Sequence, residues 1–567
     1  MTREPWGWPT GVLLAVGVSV LYWTTFSRIP SADAYWYISN INNAQIENIL
    51  NPTSALTQYF FFSLRRALTG FGASVDTLRL IQTVNAAVAG VGVALFYATL
   101  RQLGASRALG LLGAVVLATT FGYWFYTNGE FQHPSLVVLL AIFHLLVRQR
   151  ASGGPWSPWF VAAVALMNSL AALLRQENFL FGFAAVALIM LGRPWRAGLR
   201  DAIVYTVVGS LGTFVLVFTL GRFALGARTI DDFIRWYLYI LAYTKLPREY
   251  QEFEFATAFD IPRVIKGQLT AFFIGTQAVV DVVRDRTLLA YAKVDALLGL
   301  TAIVYGAMVW LAADAWRLRR VLPEWLLPPA VASLVWLLTY KVLVHAWFWP
   351  TYTKYQVVTL PPLIFLLLLA PLAAQEADGV GRRGVRVGVV ALLLAALAVG
   401  NAWGAIVPQY RYGRLKERVA AWRAAALTSD DLVISSESGL DVVFASGVHH
   451  LAVKDVFMRG RPKQECFDAI RSAIDAQLRR PGRAYMYNLV PSPFTVIGIN
   501  QHMAAYWSAG GRPEQVSVRD FEAFFDELRA TYPARPVFTY WEETKVPLYL
   551  YGERLQPLWE LAPRGPA

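Results

Sequence analysis

Cysteine is almost absent from this chain: Cys466 is the single one among 567 residues. That excludes an internal disulfide framework and any cysteine-based zinc site. Charge is scarce too. Asp, Glu, Lys and Arg make up 16% of the residues, against about 25% in soluble domains. Acid is the scarcer sign, with 38 Asp and Glu against 51 Lys and Arg, a net charge of +13. There is no Gly-rich phosphate loop and no detectable internal repeat. In a soluble protein this excess of base would point to nucleic acid. Here most of the arginines stand in short loops between apolar runs, where they orient a membrane protein. No nucleic-acid partner is expected.

What the chain has in quantity is apolar surface. It is 56% hydrophobic, with 20 Trp, 26 Tyr and 33 Phe. Apolar runs of spanning length predict about eleven transmembrane helices, near 9–26, 78–100, 107–124, 134–147, 157–174, 177–192, 201–224, 295–314, 326–345, 355–374 and 387–407. The first is read as a retained span, because no small-residue cleavage site follows it. The run 268–283, interrupted by Lys266 and Asp281, is read as interfacial, with a further span as the alternative.

Alternation of the loops sets the orientation. With Arg3 in the cytoplasm, the cytoplasmic loops carry Arg101 and Arg107, then Arg148 and Arg150, then Arg193, Arg196 and Arg200. Arg317, Arg319 and Arg320 follow, then Arg382, Arg383 and Arg386. The short turns on the opposite side carry far less: none between Phe125 and His133, then Arg175, then Lys354. This asymmetry predicts a cytoplasmic N-terminus and, with an odd number of spans, an extracytoplasmic C-terminal region.

Two long outside segments are expected, 27–77 and 225–293, the first holding an amphipathic surface helix over Leu56–Leu68. From Gln409 the composition turns soluble, and strands alternate with helices. The predicted strands are DLVISS, HHLAVKDVF, RAYMYNLV, PVFTYW and VPLYLYGE, and the helices FDAIRSAIDAQLRR and FEAFFDELRATY. The fold class expected is therefore an all-α polytopic membrane domain over 1–408, followed by a small α/β domain over 409–567.

The ionisable residues near the membrane fall on one side. Asp33 follows the first span. Glu130 and His133 lie between the third and fourth, and Arg175 and Glu177 between the fifth and sixth. Lys341, His345 and Lys354 flank the turn between the ninth and tenth. Charges at a membrane edge are expensive, and their gathering on one side marks a functional site. Carboxylate with Arg, Lys and His suits transfer from a phosphorylated lipid: cations hold the phosphate and the carboxylate takes a proton from the attacking hydroxyl. Each residue also has a structural reading. Asp33 can cap a helix starting at Ala34. Arg175 can pair with Glu177 or Glu130. Lys354 can snorkel to the interface, and His345 can simply pack. His449 and His450 are adjacent on a strand and point to opposite faces, which argues against a shared metal.

The stretches SADAYWYISN and NPTSALTQYFFFSL resemble the first outside loop of the GT-C superfamily of integral-membrane glycosyltransferases. NGEFQHPSLVVLLAIFHLLV, LLRQENFLFGFAAVAL and YTKYQVVTLPPLIFLLLLAPL resemble later segments of that superfamily in the same order, closest to its protein-mannosyltransferase-like branch, family 39. The resemblance covers about residues 10–410. It implies a transferase that moves a sugar from a polyprenyl-phosphate carrier to an envelope glycan, lipid or protein on the extracytoplasmic side, with inversion. The setting implied is a prokaryotic inner membrane. Asp33 would be the general base and the catalytic residue. Arg175 or Lys354 would hold the lipid phosphate. Glu130, His345, Tyr352, Tyr35 and Trp36 would complete the substrate contacts.

The chain departs from the family at two points. Asp33 is followed by Ala34 where the family often has a second acid, which favours a site without a divalent metal and without any other cofactor. Asn51-Pro52 stands where His-Pro is expected. A transporter or lipid flippase is the alternative from another class, although transporters place polar residues at mid-membrane and use repeats. A non-catalytic envelope assembly protein on the same scaffold is the other.

Overall fold

The computed structural model describes residues 8–27, 32–42, 44, 49–50, 54–225, 261–284, 292–320, 322–346, 353–377, 380–410, 427–435, 449–457, 462–487, 499, 516–538 and 558–563. The chain divides into two compact units, one from Met1–Lys245 and Glu254–Tyr412, the other from Leu246–Phe253 and Gly413–Ala567.

The first unit is helical. Seven of its helices are long and apolar enough to cross a membrane: Thr77–Gln102, Gln132–Ala151, Trp195–Arg222, Val294–Leu318, Leu327–His345, Tyr355–Gln375 and Arg383–Tyr410. Shorter apolar helices occupy Pro9–Thr24, Arg107–Thr119, Pro158–Leu174 and Gln176–Met190. Each apolar run read from the sequence contains one of these helices. The run 107–124 is broken at Thr120 into Arg107–Thr119 and Phe121–Phe125.

Helix contacts are close where side chains are small. Trp8–Thr24 packs on Thr77–Gln102, and a Cβ on Gly90 would collide with the Ala15 carbonyl and the Ser19 hydroxyl. Ser19 Oγ donates to Ala15 O at 2.7 Å and to Ala86 O at 3.0 Å, and Tyr22 donates to Ala118 O at 2.6 Å. At the basic helix ends, Arg193 and Arg200 both reach Asp201 at 2.8 Å. Arg386 meets Asp314 at 2.5 Å.

The run 268–283 falls in two short helices, Ile261–Phe272 and Gly275–Arg284. At about 1.5 Å per residue neither alone matches the ~30 Å of a bilayer core. The break between them leaves backbone groups that Asn401 satisfies. Its Oδ1 accepts from Ile274 N at 2.9 Å, and its Nδ2 donates to Thr119 O at 2.7 Å and Phe272 O at 3.3 Å. Such a partner is what an interrupted helix needs in an apolar surround.

The second unit holds a five-stranded sheet in the order β2-β1-β3-β5-β4. The strands are β1 Leu432–Ser435, β2 His449–Ala452, β3 Ala484–Tyr487, β4 Ala534–Phe538 and β5 Leu558–Leu561. β1 pairs parallel with β2 and β3, with Ile434 opposite Leu451 and Met486. β5 runs antiparallel between β3 and β4. The helix Lys463–Leu478 makes the β2-to-β3 crossover and Val518–Thr531 connects β3 to β4. Phe467 packs on Phe457, Phe521 and Phe524, with ring centroids 5.1, 5.7 and 4.3 Å away. Ser517 and Asp520 form a capping box at the start of the second helix.

One expectation for this unit changes and one strand is added. HHLAVKDVF is a strand only to Ala452 and turns helical over Val453–Phe457, because its apolar residues do not alternate beyond that point. LWEL supplies β5, while VPLYLYGE lies outside the described residues.

Candidate active site

The site begins in a short turn, Thr127–Phe131, between helices Phe121–Phe125 and Gln132–Ala151. Polar side chains inside the adjoining helix Thr77–Gln102 hold it. Asn85 Nδ2 donates to Glu130 O at 2.6 Å and Thr127 O at 3.3 Å. Gln82 Nε2 donates to Asn128 Oδ1 and Ser27 O, both at 2.7 Å. Gly129 has φ 130°, a region that L side chains avoid. Replacing Gly129 by alanine is expected to cost about 1–3 kcal/mol in strain and to displace Glu130. Thermal unfolding and turnover of the purified variant should both report it.

Glu130 is fully buried. Its Oε2 lies 3.8 Å from Lys354 Nζ, and the Lys354 side chain is 2% exposed. Lys354 therefore does not snorkel. Burial opposes the ammonium charge and pushes its pKa down; the carboxylate opposite favours the charged form. Lys354 Nζ also sits 5.1 Å from the centre of the Tyr355 ring.

Arg175 approaches the same ring from another helix end, its guanidinium carbon 5.3 Å from the centroid. It caps the C-terminus of Pro158–Leu174 and bonds Glu177 Oε1 through Nε at 2.6 Å. Of the two carboxylates expected as its partner, Glu177 is the one it meets in this bond.

The helix carrying Asp33 runs Ala32–Asn42. Asp33 is thus inside the first turn rather than the cap before Ala34, where the positive helix end favours a carboxylate. The side chains of Asp33, Tyr35 and Trp36 lie outside the described residues, as does Tyr352. The helix is seated by Ala34, Tyr37, Ile38 and Ile41, which pack with Phe61, Ile81 and Phe131. Tyr37 stacks on Phe131 at 4.2 Å, and Phe61 on Phe131 at 5.3 Å. The Tyr37 hydroxyl feels Glu130, Arg175, Tyr355 and Glu177, and burial holds it protonated, its pKa raised.

His345 is buried at the end of Leu327–His345. Its Nδ1 is 3.1 Å from Lys341 Nζ, and Lys341 also bonds Gln356. His133 points away from this group, its Nε2 on Tyr123 O at 2.9 Å. Among the described residues no group of three or more His, Cys, Asp or Glu is placed to hold a metal ion.

The structure thus brings Glu130, Arg175, Lys354 and His345 to one set of helix ends. It adds Tyr355, Tyr37, Glu177 and Lys341 to them, and Tyr355, lying between two cations, is the member that sequence reasoning passed over. Its adjacency to Lys354 was the available signal.

No family model matches the chain, and no curated protein does. Among solved structures it is similar to ArnT from Cupriavidus metallidurans bound to undecaprenyl phosphate, at 13% identity over 85% of this chain and 94% of that one, TM-score 0.50. It is also similar to the oligosaccharyltransferase of Archaeoglobus fulgidus in the apo form, at 11% identity over 89% of this chain and 71% of that one, TM-score 0.46. The arabinofuranosyltransferase AftD from Mycobacteria aligns at 14% identity over 98% of this chain and 40% of that one, TM-score 0.41. The overlap with ArnT covers most of both chains, and this protein has a fold similar to that of ArnT.

Proposed function

We propose that this chain is a membrane glycosyltransferase that moves a sugar from a polyprenyl-phosphate carrier to a cell-envelope glycan, lipid or protein, inverting the anomeric centre. The observation that carries the reading is the convergence of Arg175 and Lys354 on the Tyr355 ring, beside Glu130, at one end of the apolar helices. Buried cations beside an aromatic wall suit a lipid phosphate. That the fold neighbour ArnT was solved with undecaprenyl phosphate supports the same ligand class. Asp33 is the general base in this reading. Tyr35, Trp36, Tyr352 and His345 line the donor and acceptor paths. Residues 1–408 form the transferring domain in a prokaryotic inner membrane, with the N-terminus cytoplasmic. Residues 409–567 lie outside and help bind the acceptor.

The test uses purified protein in nanodiscs, a panel of polyprenyl-phosphate sugars and an envelope extract as acceptor. Mass spectrometry should detect free polyprenyl phosphate that appears only when acceptor is present. Lipid binding without release across the panel would overturn the reading.

A further inference from the structure

One cation near this site has no role so far. Lys341 opens a π-helical turn, Lys341–His345, at the end of the helix Leu327–Tyr340. Such turns shift side chains out of the ordinary helical register and recur at functional sites. An ammonium has only donors, so the Lys341–His345 contact makes His345 Nδ1 the acceptor, with the ring proton on Nε2. The ring also engages the Tyr355 backbone. Gln356 supplies the second acceptor through Oε1. Both side-chain partners that Lys341 bonds among the described residues are therefore neutral. Arg175 meets Glu177 and Lys354 meets Glu130, whereas Lys341 bonds no carboxylate among the described residues. Lys341 as a residue keeps part of its surface exposed, with its ammonium bonded to His345 and Gln356.

We infer that Lys341 binds the negative charge that the carrier phosphate gains when the sugar leaves. This rests on the function proposed above. The donor is a phosphodiester with one negative charge. In the transfer, the acceptor oxygen bonds to the anomeric carbon and its proton passes to a carboxylate. The bond from that carbon to the phosphate oxygen breaks, and its electron pair stays on the phosphate. The product is a phosphomonoester with one more negative charge. A cation held by neutral partners strengthens its interaction as that charge grows, and such an interaction lowers the barrier. His345 and Gln356 are positioning residues that aim the ammonium.

The probes are polyprenyl monophosphate and its methyl ester, a phosphodiester, bound to protein in nanodiscs at about pH 8. There the monoester is doubly ionised, its second pKa being about 6. Lys341→Met should weaken the monophosphate roughly tenfold to a hundredfold and leave the methyl ester within about twofold. Lys341→Arg should restore most of the loss. In turnover, Lys341→Met should lower kcat with little change in KM. Retained methyl-ester binding reports that the variant is folded, and Lys341→Gln, which keeps a hydrogen-bonding head, serves where methionine is not tolerated. Equal loss for both lipids, or loss for neither, overturns the assignment to Lys341 alone. Failure of the wild type to bind either lipid overturns the proposed function with it.

Discussion

Replacing Lys354 by methionine is expected to destabilise the protein by about 3–5 kcal/mol, and Glu130→Gln by a similar amount. The reason is the placement of the pair. Both side chains are buried and their charged atoms are 3.8 Å apart. At an effective dielectric constant of about 20, the attraction at that distance is about 4 kcal/mol. Desolvation costs several kcal/mol for each ion, so the attraction is offset and the pair is no net asset to stability. Either single change takes the opposite charge away from a buried ion. The double variant Glu130→Gln with Lys354→Met should therefore recover much of the lost stability. It should not recover transfer, because the phosphate contact goes with Lys354. Chemical denaturation in detergent and the polyprenyl-phosphate release assay, run on all three variants, check the two halves. Additive destabilisation in the double variant would show that the two residues do not act on each other. A pair that contributes little to stability yet is kept in the interior is best understood as kept for binding.

Asp33→Asn is the second large effect, a fall in transfer of about 10²–10⁴-fold with donor binding retained. The amide preserves size and hydrogen bonding but cannot take the acceptor proton. The position of Asp33 in the first turn of Ala32–Asn42 suits an ionised carboxylate, since the helix end favours negative charge. Polyprenyl-phosphate release at saturating donor separates the loss of chemistry from loss of binding. Release at the wild-type rate would remove Asp33 from the mechanism and move the base to Glu130.

The amino-acid sequence by itself determined where the helices lie. Apolar runs of about 20 residues have few alternatives to helices in a membrane; every predicted run overlaps an apolar helix, and seven of those helices are of spanning length. Alternation of those helices also determined that Glu130, Arg175, His345 and Lys354, each at a helix end, would meet on one side. The surface helix expected over Leu56–Leu68 is present as Ala55–Gly70 for the same kind of reason, its periodic apolar face.

What tertiary structure decided is who touches whom. Periodicity records that a side chain is buried but not which neighbour it meets across the bundle. Gln82 and Asn85 look like tolerated polar interruptions of an apolar helix, yet they hold the turn that carries Glu130. Arg175 had two candidate carboxylates, the neighbouring Glu177 and the sequence-distant Glu130, and it bonds Glu177 while Glu130 faces Lys354. Lys354 could have reached the membrane surface by its length, but its side chain is buried with its ammonium facing Glu130. Asn401 shows the same limit: one amide within a long apolar run, it closes a break more than a hundred residues away in sequence. Such outcomes depend on partners distant along the chain, and local pattern carries no trace of them.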